Sequence, residues 1–195
     1  MMLGDANAQH DRARRFRDAA LPHLDDVCTL ARYLMRNAAD ADDAVQECYL
    51  RALHHFDSYR GPAMKPWLLA IARNVCNAEF ARRGKQEITV ACGDAASTAE
   101  DLPMWQEPPA SPETALLRRH DGAAIRRFIT ALPQPFRETF VLREVNELSY
   151  GEIPKVVGVP VGTVMSRLAR ARSMLRSAWH AAEAAEPAAK SGTSP

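Results

Sequence analysis

Apolar residues recur at helical spacing in two separate blocks of the chain. In the first block Leu21, Leu24, Val27 or Cys28, Ala31 and Leu34 share one face, and the polar stretch from Asn37 to Asp40 breaks and caps it. A second helix from about Asp40 turns Val45, Cys48, Tyr49, Ala52 and Phe56 inward. A third, from near Pro66, does the same with Trp67, Leu68, Ile71 and Val75. In the second block Leu117, Ile125, Phe128, Ile129 and Leu132 predict one helix, the LPQP stretch ends it, and Phe136, Phe140, Val141 and Val145 predict another. The pattern therefore predicts an all-α protein of two small helical domains, at 16–85 and 113–180. The stretch 86–112 holds four prolines and few apolar positions, which predicts a flexible acidic linker. Residues 181–195 are expected to form a disordered tail. With only 65 to 70 residues each, the domains are small for a core and expected to be marginal until they bind something larger.

The second block ends in the most informative stretch, LSYGEIPKVVGVPVGTVMSRLARARSMLR, from Leu148. Ser149 with Glu152 three residues on predicts a capping box at a helix start, and Gly158 supplies the stop. Pro154 falls in the fifth position of that predicted helix, where its missing amide would leave the Tyr150 carbonyl unpaired. After Pro160 a second helix carries Val164, Leu168, Ala171 and Leu175 on a stripe that must be buried. Its other side bears Gly162, Thr163, Ser166, Arg170 and Ser173, flanked by Arg167 and Arg172. Small residues let a backbone approach base edges and arginines reach phosphates or guanines, so the pair reads as a helix-turn-helix entering a major groove. A helical hairpin with a solvated basic face would show the same features.

Charge sharpens that choice. Over all 195 residues the formal net charge is only +1, so no overall excess points to a polyanionic partner. Its distribution is uneven: eleven basic residues against five acidic ones between Leu116 and Trp179, and six acidic with no Lys or Arg between Glu87 and Ala115. A basic module beside an acidic spacer is the footprint of nucleic-acid binding. As a coil the linker would span about 30 Å, and fully extended about 90 Å, enough to bridge two DNA sites. In the first block, Asp40, Asp42 and Asp43 crowd a helix start, where the dipole favours negative charge. The loop FDSYRGPAMKP brings Tyr59, Arg60 and Lys65 beside Trp67. Aromatic and basic residues together suit single-stranded DNA, although by pattern alone residues such as Tyr59 and Trp67 are more often core or hinge residues.

Other chemistries find little support. The cysteines, Cys28, Cys48, Cys76 and Cys92, form no CxxC pair; the first three fall on apolar faces, and Cys92 is the candidate for a redox-sensing thiol. No metal site, cofactor or catalytic residue is expected, because the chain has no HExxH, GxSxG, phosphate-binding or dinucleotide-binding pattern. No apolar run reaches membrane-spanning length and nothing resembles a targeting segment, so a cytoplasmic protein without membrane insertion is expected.

The stretch LSYGEIPKVVGVPVGTVMSRLARAR resembles region 4 of bacterial sigma factors, in particular the extracytoplasmic-function (ECF) group. DADDAVQECYLRAL resembles sigma region 2.2, and YRGPAMKPWLLAIARNVCNAEFARR resembles regions 2.3 and 2.4. The resemblance covers both blocks in order, and it departs at Pro154, at Met165, where many relatives carry a basic residue, and in the loop before Trp67. It implies a promoter-specific initiation factor with two partners, core RNA polymerase and promoter DNA, the DNA both as duplex and as single strand. It leaves room for an anti-sigma factor as a third. It implies polymerase binding through Asp40, Asp43, Gln46, Glu47 and Arg51. Gly162, Thr163, Ser166, Arg167, Arg170 and Arg172 would contact the −35 duplex. Tyr59, Arg60, Lys65, Trp67, Arg73, Asn74 and Asn77 would melt and hold the −10 element. Base flipping costs a few kcal/mol, which a binding pocket offsets without ATP. The alternatives are a stand-alone helix-turn-helix regulator, which would not need the helices of the first block, and a protein of the same fold that sequesters a regulator, which would lack DNA contacts.

Overall fold

The computed structural model describes residues 3–35, 37–87 and 122–190, and within them every regular element is helical. Helix α1 spans Leu3–Ala20 and passes through a short 3-10 turn into α2, Leu24–Leu34. Helix α3 spans Ala38–His55 and α4 spans Met64–Glu87. In the second block α5 is Gly122–Ala131 and α6 is Gln134–Phe140, continued as a π-helical turn over Val141–Val145. The helix-turn-helix consists of α7, Ile153–Val157, and α8, Val161–Lys190.

Helices α2, α3 and α4 pack on one another, but Leu21 and Leu24, expected on the inner face, are 49% and 38% exposed, because the chain runs through a 3-10 turn at Leu21–His23 before α2 begins. Leu30, Leu34, Ala44, Cys48, Ala52, Leu68, Leu69 and Cys76 are buried between them. Asn37 caps α3: its side-chain oxygen accepts the Asp40 amide at 2.8 Å, satisfying a donor that the helix start would orphan. Burial pushes the Cys48 and Cys76 thiols up to about 12, so both act as small apolar groups rather than thiolates. Cys92 and the linker residues Met104 and Trp105 lie outside the described residues.

Four further local expectations meet a different outcome. The first block begins earlier than residue 16: α1 buries Phe16 and Ala20, and Arg12 donates to the Leu53 carbonyl at 2.7 Å while pairing with Asp57. The third helix starts at Met64, two residues before Pro66, because a proline in the first turn forfeits no intrahelical bond. The same rule removes the expected defect at Pro154. Helix α7 starts at Ile153 rather than Ser149, which places the proline in its first turn. Finally, α8 continues as helix through Lys190, taking in the first ten residues of the expected disordered tail, since AAEAAEPAAK is mostly strong helix formers.

The two helical domains expected from the sequence are both present, and they also pack on each other. They share one continuous apolar core: α2 packs on α6, and α4 packs on α7. Leu168, fully buried where α8 meets this core, should be sensitive to truncation. Leu168→Ala is expected to lower unfolding stability by about 2 to 5 kcal/mol. Met165→Ala, three positions earlier but exposed, should change it by less than about 0.5 kcal/mol. Urea denaturation followed by circular dichroism reads both.

Candidate DNA and polymerase interfaces

The helix-turn-helix forms as its residues dictate, with one change of detail. Glu152 accepts both the Ser149 amide, at 2.9 Å, and the Ser149 hydroxyl, at 2.6 Å. One half of the capping box is present, and the hydroxyl donates rather than accepts. These bonds hold the Glu152 carboxyl below its ordinary pKa. Gly158 ends α7 at φ +71°, a left-handed conformation that disfavours side chains, and its amide returns to the Pro154 carbonyl. Val164, Leu168 and Ala171 then seat α8 on the core, leaving Gly162 exposed and Thr163, Ser166, Arg167 and Arg170 half-buried along the reading side.

Arg172 has a different setting. Its guanidinium donates to Glu144 at 2.6 Å, tying α8 to the π-helical turn. Nearby, Arg143 lies 4.5 Å over the Tyr150 ring and donates to the Leu148 carbonyl. Arg143, Glu144 and Tyr150 therefore position the helix-turn-helix, a role that periodicity does not mark. The only sequence signal for them is their place next to the turn.

On α3 the expected polymerase face is assembled as a surface. Asp43, Gln46 and Arg51 are exposed, Glu47 pairs with Arg51 at 2.6 Å, and Asp40 receives the Asn37 side-chain amide at 2.7 Å. Leu50 stands among them 58% exposed, a residue that sequence reasoning missed. Its apolar side chain off the inner stripe was the available signal.

The loop and α4 bring Tyr59 and Trp67 together, ring centroids 4.5 Å apart and planes tilted by 30°. A Cβ at Gly61 would fall 2.6 Å from the Tyr59 ring, so any larger residue there would displace that ring. Arg60 folds back onto the carbonyls of Asp57 and Tyr59, and Asn74 is exposed.

Three other residues of this set are occupied by the protein itself. Lys65 pairs with Asp26 at 2.9 Å, Arg73 donates to Glu138 at 2.6 Å, and Asn77 accepts the Gln134 side-chain amide at 2.6 Å. The last two bonds cross from α4 to α6, so the second block covers part of the surface that the resemblance assigns to the −10 element. Asn146, fully buried after the π-helical turn, adds a further link by donating to the Asp26 carbonyl at 2.9 Å. Glu138 is 3% exposed; burial pushes its carboxyl above the ordinary pKa, with Arg73 and then Arg167 offsetting part of the rise.

Asp26, Gln134, Glu138 and Asn146 were not legible as partners. A carboxylate between Phe136 and Phe140 was the one hint of a buried polar contact. Among the described residues no cluster of His, Cys, Asp or Glu could hold a metal ion, and no helix is long and apolar enough to cross a membrane.

A helix-turn-helix on one block and an aromatic and basic loop on the other, in one helical chain, define a protein built for two DNA contacts. Residues 20–86 match the family described as Sigma-70 region 2, and residues 122–175 match Sigma-70, region 4. The chain is 32% identical to the RNA polymerase sigma-H factor of Pseudomonas aeruginosa over 87% of its own length and 89% of that protein. It is 34% identical to the ECF RNA polymerase sigma factor EcfG of Rhodopseudomonas palustris, covering 82% of each. The ECF RNA polymerase sigma-E factor of Escherichia coli is 31% identical, over 71% of this chain and 73% of that one. Among solved structures, the fold resembles the sigma factor RpoE in complex with the anti-sigma factor NepR from Bartonella quintana. That match has a TM-score of 0.65 at 23% identity and covers 84% of this chain and 96% of that one. CnrH in complex with the cytosolic domain of CnrY gives a TM-score of 0.61 at 23% identity, over 90% and 94%. The chain belongs to the sigma-70 family, in its ECF group.

The buried pair between the blocks offers a direct check. Glu138→Ala leaves Arg73 without its buried partner and should weaken the packing of α6 on α4 by about 3 kcal/mol. Amide hydrogen exchange is expected to speed up in α6 and in the facing turns of α4, while the far side of α3 stays protected.

Proposed function

We propose that this chain directs promoter-specific initiation by core RNA polymerase, reading the −35 element as duplex through α8 and opening the −10 element through the 59–65 loop and α4. The observation that carries this reading is the pairing, in one chain, of a reading helix with an aromatic and basic loop. A stand-alone duplex-binding regulator has use for the first and none for the second. Core polymerase docks on the α3 surface of Asp40, Asp43, Gln46, Glu47 and Arg51, with the exposed Leu50 beside Arg51 at its C-terminal end. At the −35 element Arg170 and Arg167 supply the charged contacts, with Gly162, Thr163 and Ser166 allowing close approach. Arg172 reaches DNA only when Glu144 releases it.

At the −10 element, the Tyr59 and Trp67 rings form a stacking platform for an unpaired base. The Tyr59 hydroxyl supports this assignment, being buried without a hydrogen-bond partner among the described residues, a lack that a base edge would fill. Asn74 is exposed to the strand, whereas Arg60, Arg73, Asn77 and Lys65 engage it once their present partners let go. Loading onto the polymerase therefore includes separation of α6 from α4. The reading gives the chain no catalytic step, places it in the cytoplasm with the polymerase, and leaves the covered α4 surface as the place where an anti-sigma factor gains most by holding the blocks closed.

Run-off transcription with purified core polymerase on a promoter library tests the proposal. Initiation that depends on this chain at a subset of promoters is the expected result. Duplex binding without core binding or initiation would sink it in favour of a stand-alone regulator. Arg170→Ala should weaken affinity for the selected −35 duplex by about 1 to 3 kcal/mol and relax preference at one position, read by fluorescence anisotropy.

A further inference from the structure

The first two turns of α8 expose two large apolar side chains, Val161 and Met165, each 47% exposed. They stand at i and i+4, so they lie above one another on one side of the helix. Isolated surface apolar residues need no explanation. These two share the end of the helix that, in a helix-turn-helix, approaches base edges most closely.

The polar groups beside them are poorly placed to read hydrogen-bonding patterns. Gly162 has no side chain, the Ser166 hydroxyl donates its proton to the Thr163 carbonyl at 3.0 Å, and Ala169 adds only a methyl. This edge of the reading helix is thus an apolar strip. In the major groove the only base feature that an apolar strip can distinguish is the 5-methyl group of thymine.

We propose that Val161 and Met165 are specificity-determining residues that read thymine 5-methyl groups in the −35 element. The assignment rests on the reading of α8 as the −35 helix. Four residues of helix rise about 6 Å, and two base-pair steps about 6.8 Å. The methyls read by the pair accordingly belong to thymines no more than two steps apart. Arg167 and Arg170, on the other side of the exposed surface, supply charge, so base choice at these two positions rests on shape and apolar contact. The −35 element of this protein should carry thymine where a purely arginine-read site would select guanine.

The test uses holoenzyme reconstituted from core polymerase and the full chain. The −35 sequence is first selected from a randomised promoter library; each thymine in it is then replaced by deoxyuridine, which removes the methyl and nothing else. The expected result is a loss of about fourfold in promoter affinity per methyl read, at one or two thymines. In Met165→Ala or Val161→Ala holoenzyme the matching deoxyuridine should cause no further loss. Thermal unfolding of each variant, unchanged because both side chains are exposed, separates lost contact from lost fold. A selected element without thymine overturns the proposal, as does deoxyuridine without effect in the wild type, or an equal loss in wild type and variants. A scrambled −35 element bound as tightly as the selected one is a different failure, since it removes the −35 reading itself.

Discussion

The buried apolar residues of the two helical blocks form one continuous core, and the arrangement of the chain follows from it. Helices α2 and α4 present apolar faces on the side away from α3, and α6 and α7 cover them. The burial that stabilises the blocks also decides which face of each is hidden. Hydrophobic attraction is not directional, so by itself it would allow many registers of one block on the other.

Register comes from the polar bonds at the seam. Arg73 with Glu138, Asn77 with Gln134, and Asn146 with the Asp26 carbonyl each join the first block to the second. A carboxylate as buried as Glu138 is costly unless paired, and it meets its guanidinium only when α6 lies where it does. That requirement selects one register. It also places the second block over part of the α4 surface expected to hold the −10 element, with the Arg73 Nε held on Glu138. The contacts that order the chain thus occupy the groups it needs for its proposed work.

The reading side of α8 is governed by a different balance. Burial of Val164, Leu168 and Ala171 sets the rotation of the helix, and everything else about its exposed surface follows from 3.6 residues per turn. The π-helical turn and the Arg172–Glu144 and Arg143–Tyr150 contacts brace the helix-turn-helix from behind. The cost is that one of the arginines expected at DNA is engaged within the protein.

What the sequence determined by itself was local. The helices of both blocks, the stop at Gly158, the cap at Asn37, the buried stripe of α8 and the loop of Tyr59 and Trp67 all depend on neighbours within a few positions. Helical period and turn chemistry reveal such features directly. Family membership was legible for the same reason, since its signatures are contiguous. The tertiary structure alone decided which polar side chains meet. Glu138 and Arg73 are 65 residues apart, and Asn146 and Asp26 are 120 apart. No periodicity links residues at such separations. Their pairing is imposed by the packing of whole helices, and only that packing shows which of the residues legible as DNA contacts are already held by the protein.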